Sequence, residues 1–173
     1  MNGDCWSTYT TVTKVLMTVL LGLWWFAMPQ VGYGSSGTIC EHLFYPLSHA
    51  NVWHLAGNLW VLWYLKGRLY LRESYVMAVM CSFLPVIPGM WDMTPSAEPI
   101  VTAGFSGVLC AVIGIKWGVW CSSRKNLTAY CTFCKKVLPF VAVGMFIPHV
   151  NWCIHLYCIL AGLLYGRSLR SYI

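Results

Sequence analysis

Four side chains in this sequence could do chemistry together: Ser106, His155, His54 and Asn58. Hydrolysis of a peptide bond needs a nucleophile, a base to take its proton, and hydrogen-bond donors for the oxyanion that develops. Ser106 supplies the hydroxyl, and His155 is the histidine best able to reach it from a neighbouring helix. His54 and Asn58 lie four residues apart, on one face of one helix, and can donate to a tetrahedral oxygen alongside the backbone N–H of Ser106. Gly104 and Gly107 flank the Phe105-Ser106 pair. Glycines there let a substrate backbone come close and free local N–H groups for an anion. Each residue also has a plainer reading. A serine can bond back to its own helix, His54, His155 and Asn58 can bridge helices, and Gly104, Gly107 and Gly114 can simply pack them.

The elements that must position these residues follow from composition and charge. Of the 173 residues, 58% are hydrophobic and 9% are charged, where a soluble domain carries about a quarter charged residues. So much apolar surface points to lipid as the solvent for much of the chain. The net charge of +6 would raise nucleic acid as a partner in a soluble protein. Here Lys66, Arg68 and Arg72, then Arg124, Lys125, Lys135 and Lys136, then Arg167 and Arg170 lie between or after apolar runs. They read as anchors on one side of a membrane, and nucleic acid is not expected. Nine cysteines without a secretory signal do not suggest a disulfide scaffold. The first apolar stretch reads as a retained span.

The expected fold is all-α: a polytopic membrane protein with six transmembrane helices in a single membrane domain of residues 1–173. The spans fall at about 15–31, 52–65, 74–88, 102–119, 137–148 and 151–165. Pro85 and Pro88 end or kink the third. If the first span runs outward, all 11 Lys and Arg residues fall at the inner side or within a turn of it, and the outward loops hold Glu41, Asp92 and Glu98 but no base. Both termini are then cytoplasmic, and the default location is the plasma membrane of a bacterial-type cell. This topology puts His54, Asn58, Ser106 and His155 in one shallow layer beneath the outer surface, where intramembrane polar residues are costly and often functional.

The same residues carry a family resemblance. The run from His49 to Asn58, with His49, His54 and Asn58, resembles the second span of rhomboid intramembrane serine proteases. Gly104-Phe105-Ser106-Gly107 resembles their nucleophile motif, and His155 with Gly162 resembles their last helix. The resemblance implies a Ser106–His155 dyad without an acidic third member and an oxyanion hole of His54, Asn58 and Ser106. His49 would support the site, and a gate and cap would lie around Phe146, Met90 and Trp91. It implies a serine endopeptidase that cuts transmembrane protein substrates in or near their membrane segments, in contact with lipid and without a cofactor.

Three positions depart from the family pattern. Cys40-Glu41 stands where a tryptophan-arginine pair is common, Cys110 where an aromatic stacks on the histidine, and Cys158 where the last-helix motif has its first glycine. Cys110 and Cys158 would be neighbours across the contact between the fourth and sixth spans. A metal site is not expected. His49 and His54 lack a HExxH pattern, and Cys131 and Cys134, with Cys121 nearby, read as reduced thiols rather than a zinc or redox centre. The alternatives are an inactive rhomboid-like protein that binds transmembrane segments, and a small transporter, which would need a polar path to both sides.

Overall fold

The computed structural model describes residues 3–27, 31–34, 37–65, 68–85, 101–123, 135 and 150–169. The regular elements are α1 (Gly3–Ala27), α2 (Ile39–Phe44), a 3-10 turn (Tyr45–Leu47), α3 (Val52–Tyr64), α4 (Leu71–Ser82), α5 (Ser106–Ser123) and α6 (Trp152–Ser168). Local chemistry sets their starts. Thr38 and Glu41 form a reciprocal capping box at α2, which satisfies two amides that a helix start leaves open. Asn51 caps α3 by accepting from His54 N–H at 2.9 Å, and Asn151 caps α6 by accepting from Ile154 N–H at 3.2 Å, both as expected of asparagine before a helix.

Helices α5 and α6 pack most closely, with α4 against both and α3 against α1 and α5. Gly114 and Gly118 on α5 and Gly162 and Gly166 on α6 make the first contact possible. A Cβ at any of them would run into the facing helix's backbone carbonyls: Ile159 and Leu163 in one direction, Ala111 and Ile115 in the other. The two backbones therefore touch directly, as small residues permit. Leu21, Leu62, Ala78, Phe105, Val108 and Val112 fill the buried centre around this pair.

The all-α expectation agrees with these elements, but the six-transmembrane polytopic bundle is corrected. Among the described residues one helix, over Thr10–Ala27, is long and apolar enough to cross a membrane. The reason is where the helices stop. In the apolar run read as 74–88, helix α4 ends at Ser82 and the described residues after it, 83–85, are not helical, and the run read as 102–119 begins in extended chain and becomes helical at Ser106. Helix α3 has 13 residues and α4 has 12, about 20 and 18 Å at 1.5 Å per residue, against about 30 Å of hydrocarbon. In α5 the apolar part is Ser106–Cys121, and α6 has 17 residues. The location drawn from six spans, a multi-pass protein of a bacterial-type plasma membrane with both termini cytoplasmic, falls with that count. The expected span at 137–148 lies outside the described residues. Helix α1 presents Leu16, Val19, Leu23 and Phe26 outward.

Candidate active site

The approach to Ser106 is a short extended stretch held from three sides. Thr102 exchanges two backbone hydrogen bonds with Tyr33, at 3.0 and 2.8 Å, in an isolated antiparallel bridge. Gly104 donates its N–H to the Tyr45 carbonyl at 2.9 Å. Phe105 N–H points at His49 Nε2, 3.4 Å away. Gly104 has φ +120°, and a Cβ there would strike the His54 ring, so both the backbone and the histidine demand glycine. Helix α5 opens at Ser106 itself. Its first amides thus have no acceptor within the helix and lie at its positive end.

From the other side, α6 brings His155 Nε2 to 2.7 Å from Ser106 Oγ. Both residues are half-buried. Trp152, one turn earlier on the same helix, sets its ring edge-on to His155 at a centroid distance of 5.2 Å. A second serine–histidine contact exists: His42 Nδ1 lies 2.8 Å from Ser82 Oγ. There the Ser82 hydroxyl donates to the Val79 carbonyl at 2.6 Å. A hydroxyl has one proton, so His42 must be the donor to Ser82 and cannot act as its base. His42 is also sandwiched between Tyr33 and Phe83 rings at 4.4 and 4.2 Å, a packing role. Ser106 has no competing acceptor among the described residues, and at the first position of α5 it has no earlier helical turn to bond back to. Its proton is available to His155.

His54 lies against Gly104, two residues before the serine. Asn58 is 5% exposed, and its Nδ2 is a buried donor with no partner among the described residues. Such a group ordinarily costs about 1–3 kcal/mol, and here it stands on the His54 face of α3. His49 is buried beneath, its ring edge-on to His54 at 5.4 Å. Burial, and secondarily the neighbouring His54, pull the His49 pKa down to about 4. It therefore serves as a neutral acceptor, with Nε2 toward Phe105 N–H. Gly107 is pressed by Tyr45 Oη, which a Cβ would approach to 3.0 Å. Gly162 belongs to the α5–α6 contact. Phe146, Met90 and Trp91 lie outside the described residues, as do Cys131 and Cys134; Cys121 is exposed.

The family model for the Rhomboid domain matches residues 36–172. The chain belongs to the rhomboid family. No curated protein and no solved structure matches it. This rhomboid domain absorbs its departures from the family pattern locally. Around Cys40-Glu41 the turn is fixed by the Thr38–Glu41 capping box. The aromatic beside His155 is Trp152 from α6 itself, while Cys110 is buried in α5. Cys158 is fully buried and packs its sulfur toward Gly107, 3.6 Å from where a Cβ would stand. Sequence reasoning missed Tyr33, Tyr45, Thr102, Asn151 and Trp152 in this rhomboid site. Only Asn151 carried a signal, an asparagine directly before a helical run.

Proposed function

We propose that this rhomboid domain is a serine endopeptidase that hydrolyses peptide bonds in or near transmembrane segments of membrane proteins. The 2.7 Å contact between Ser106 Oγ and His155 Nε2 carries the reading. His155 with its proton on Nδ1 takes the Ser106 proton at Nε2 as Oγ attacks the scissile carbonyl carbon. The oxyanion is met by the Ser106 N–H at the start of α5, by Asn58 Nδ2 and by His54. The buried, unpartnered amide of Asn58 supports that role, since its missing partner would arrive with the substrate. Collapse breaks the C–N bond while His155 returns the proton to the leaving amine. Water then releases the acyl group, with His155 again as base. Among the described residues no carboxylate contacts His155, and Trp152 steadies the imidazole edge-on.

The test uses purified protein reconstituted with fluorescent transmembrane substrates. Wild type should cleave them, Ser106→Ala and His155→Ala should each lose at least about 10³-fold, and Asn58→Ala should lower kcat by about 10²–10³-fold. Equal cleavage by wild type and Ser106→Ala would end this reading. If wild type neither cleaves nor labels with a fluorophosphonate at Ser106, the domain binds transmembrane segments without cutting them.

A further inference from the structure

Asn151 uses both ends of its amide. Its Oδ1 caps α6 through Ile154 N–H at 3.2 Å, and its Nδ2 donates to Thr102 Oγ1 at 2.9 Å and to Tyr33 Oη at 3.4 Å. Helix α6 carries His155, four residues after Asn151. Thr102 lies four residues before Ser106, in the stretch that Tyr33 pairs by two backbone bonds. One side chain thus joins the segment bearing the base to the segment bearing the nucleophile. Asn151, Thr102 and Tyr33 are 5%, 6% and 5% exposed, so water does not compete for these bonds and they act in a low-dielectric setting. Tyr33 is itself fixed by stacking on His42 and meeting Tyr45 edge-on at 4.9 Å.

We propose that Asn151 is a positioning residue that sets the Ser106–His155 distance, acting through Thr102 with Tyr33 as the brace. The inference rests on the reading of Ser106 and His155 as a dyad. A helix cap alone would require only Oδ1. The bond to Thr102 is what a cap does not explain, and a displacement of about 1 Å between reacting groups can cost about 10²-fold in rate.

Three variants separate the two roles. Asn151→Ser keeps a capping oxygen but is too short to reach Thr102. Thr102→Val keeps the shape and removes the acceptor, and Thr102→Ser restores it. In reconstituted full-length protein, kcat, KM, thermal midpoint and the ¹⁵N shift of the His155 ring are measured. Asn151→Ser and Thr102→Val should each lower kcat about tenfold with KM nearly unchanged, as expected when positioning and not binding is lost. Thr102→Ser should recover wild-type kcat, the double variant Asn151→Ser/Thr102→Val should be no worse than the poorer single one, and the His155 Nε2 resonance should move in both single variants. Wild-type kcat in both, or losses that multiply in the double variant, would reduce Asn151 to a cap. If wild type itself cleaves nothing, the proposed function fails and the His155 resonance alone decides: unmoved in both variants, it overturns the inference. Should Asn151→Ser not fold, Thr102→Val carries the test.

Discussion

Among the described residues two serines touch a histidine, and what separates them is where the hydroxyl proton goes. The Ser82 proton belongs to the Val79 carbonyl, while that of Ser106 faces His155. Ser82→Ala would strip His42 of its acceptor in a buried place, costing about 1–3 kcal/mol. Fluorophosphonate labelling of Ser106, taken well below the melting transition, should remain at the wild-type rate. Loss of labelling would put Ser82 in the chemistry. At this scale the sequence singles out residues that are reactive by type: Ser106, His155, His54 and Asn58, grouped by spacing, are the ones the proposed function rests on. Tyr33 and Thr102 are not singled out, and Asn151 shows in the sequence only as a helix cap. They meet across 49 and 118 residues of chain, and threonine or tyrosine in an apolar run says nothing about whom it will bond.

At the scale of elements, apolar runs were readable and helix ends were not. The chain stays apolar through residues 102–105, yet Thr102 pairs with Tyr33 and Gly104 turns with positive φ, so the helix starts only at Ser106. Pattern reports what a residue avoids, not which backbone state it adopts, and counting runs therefore produced more spans than the described helices supply. Helix α2 was hidden for the opposite reason, since its six residues hold too few apolar positions to show a period. The glycine contact of α5 and α6 gives this scale its prediction. Gly162→Ala would set a methyl against the Ala111 carbonyl and force the helices apart. It should cost about 1–3 kcal/mol and lower kcat, read from thermal midpoint and turnover together. Gly57→Ala, with nothing within 4 Å of the new methyl, should be neutral or slightly stabilising in a helix; equal losses in both would refute the close-contact account.

For the molecule as a whole, stability should depend on pH through His49. Burial lowers its pKa from 6.5 to about 4, so the unfolded chain takes up the proton first as pH falls. The contribution of the neutral ring is complete above about 6.5 and declines progressively toward pH 4. Thermal midpoints between neutral and acid pH should fall in that window, and His49→Gln should flatten the dependence; an unchanged slope would place its origin elsewhere. Helices in backbone-to-backbone contact cannot slide without breaking that contact, and α5 and α6 carry one member each of the Ser106–His155 pair. The proposed dyad therefore rides on the least compliant part of the described chain. Under the proposed function, whatever admits a substrate and lets its fragments leave is a motion of other segments around a fixed anvil, so slowing that motion would lower turnover without disturbing the 2.7 Å contact at its centre.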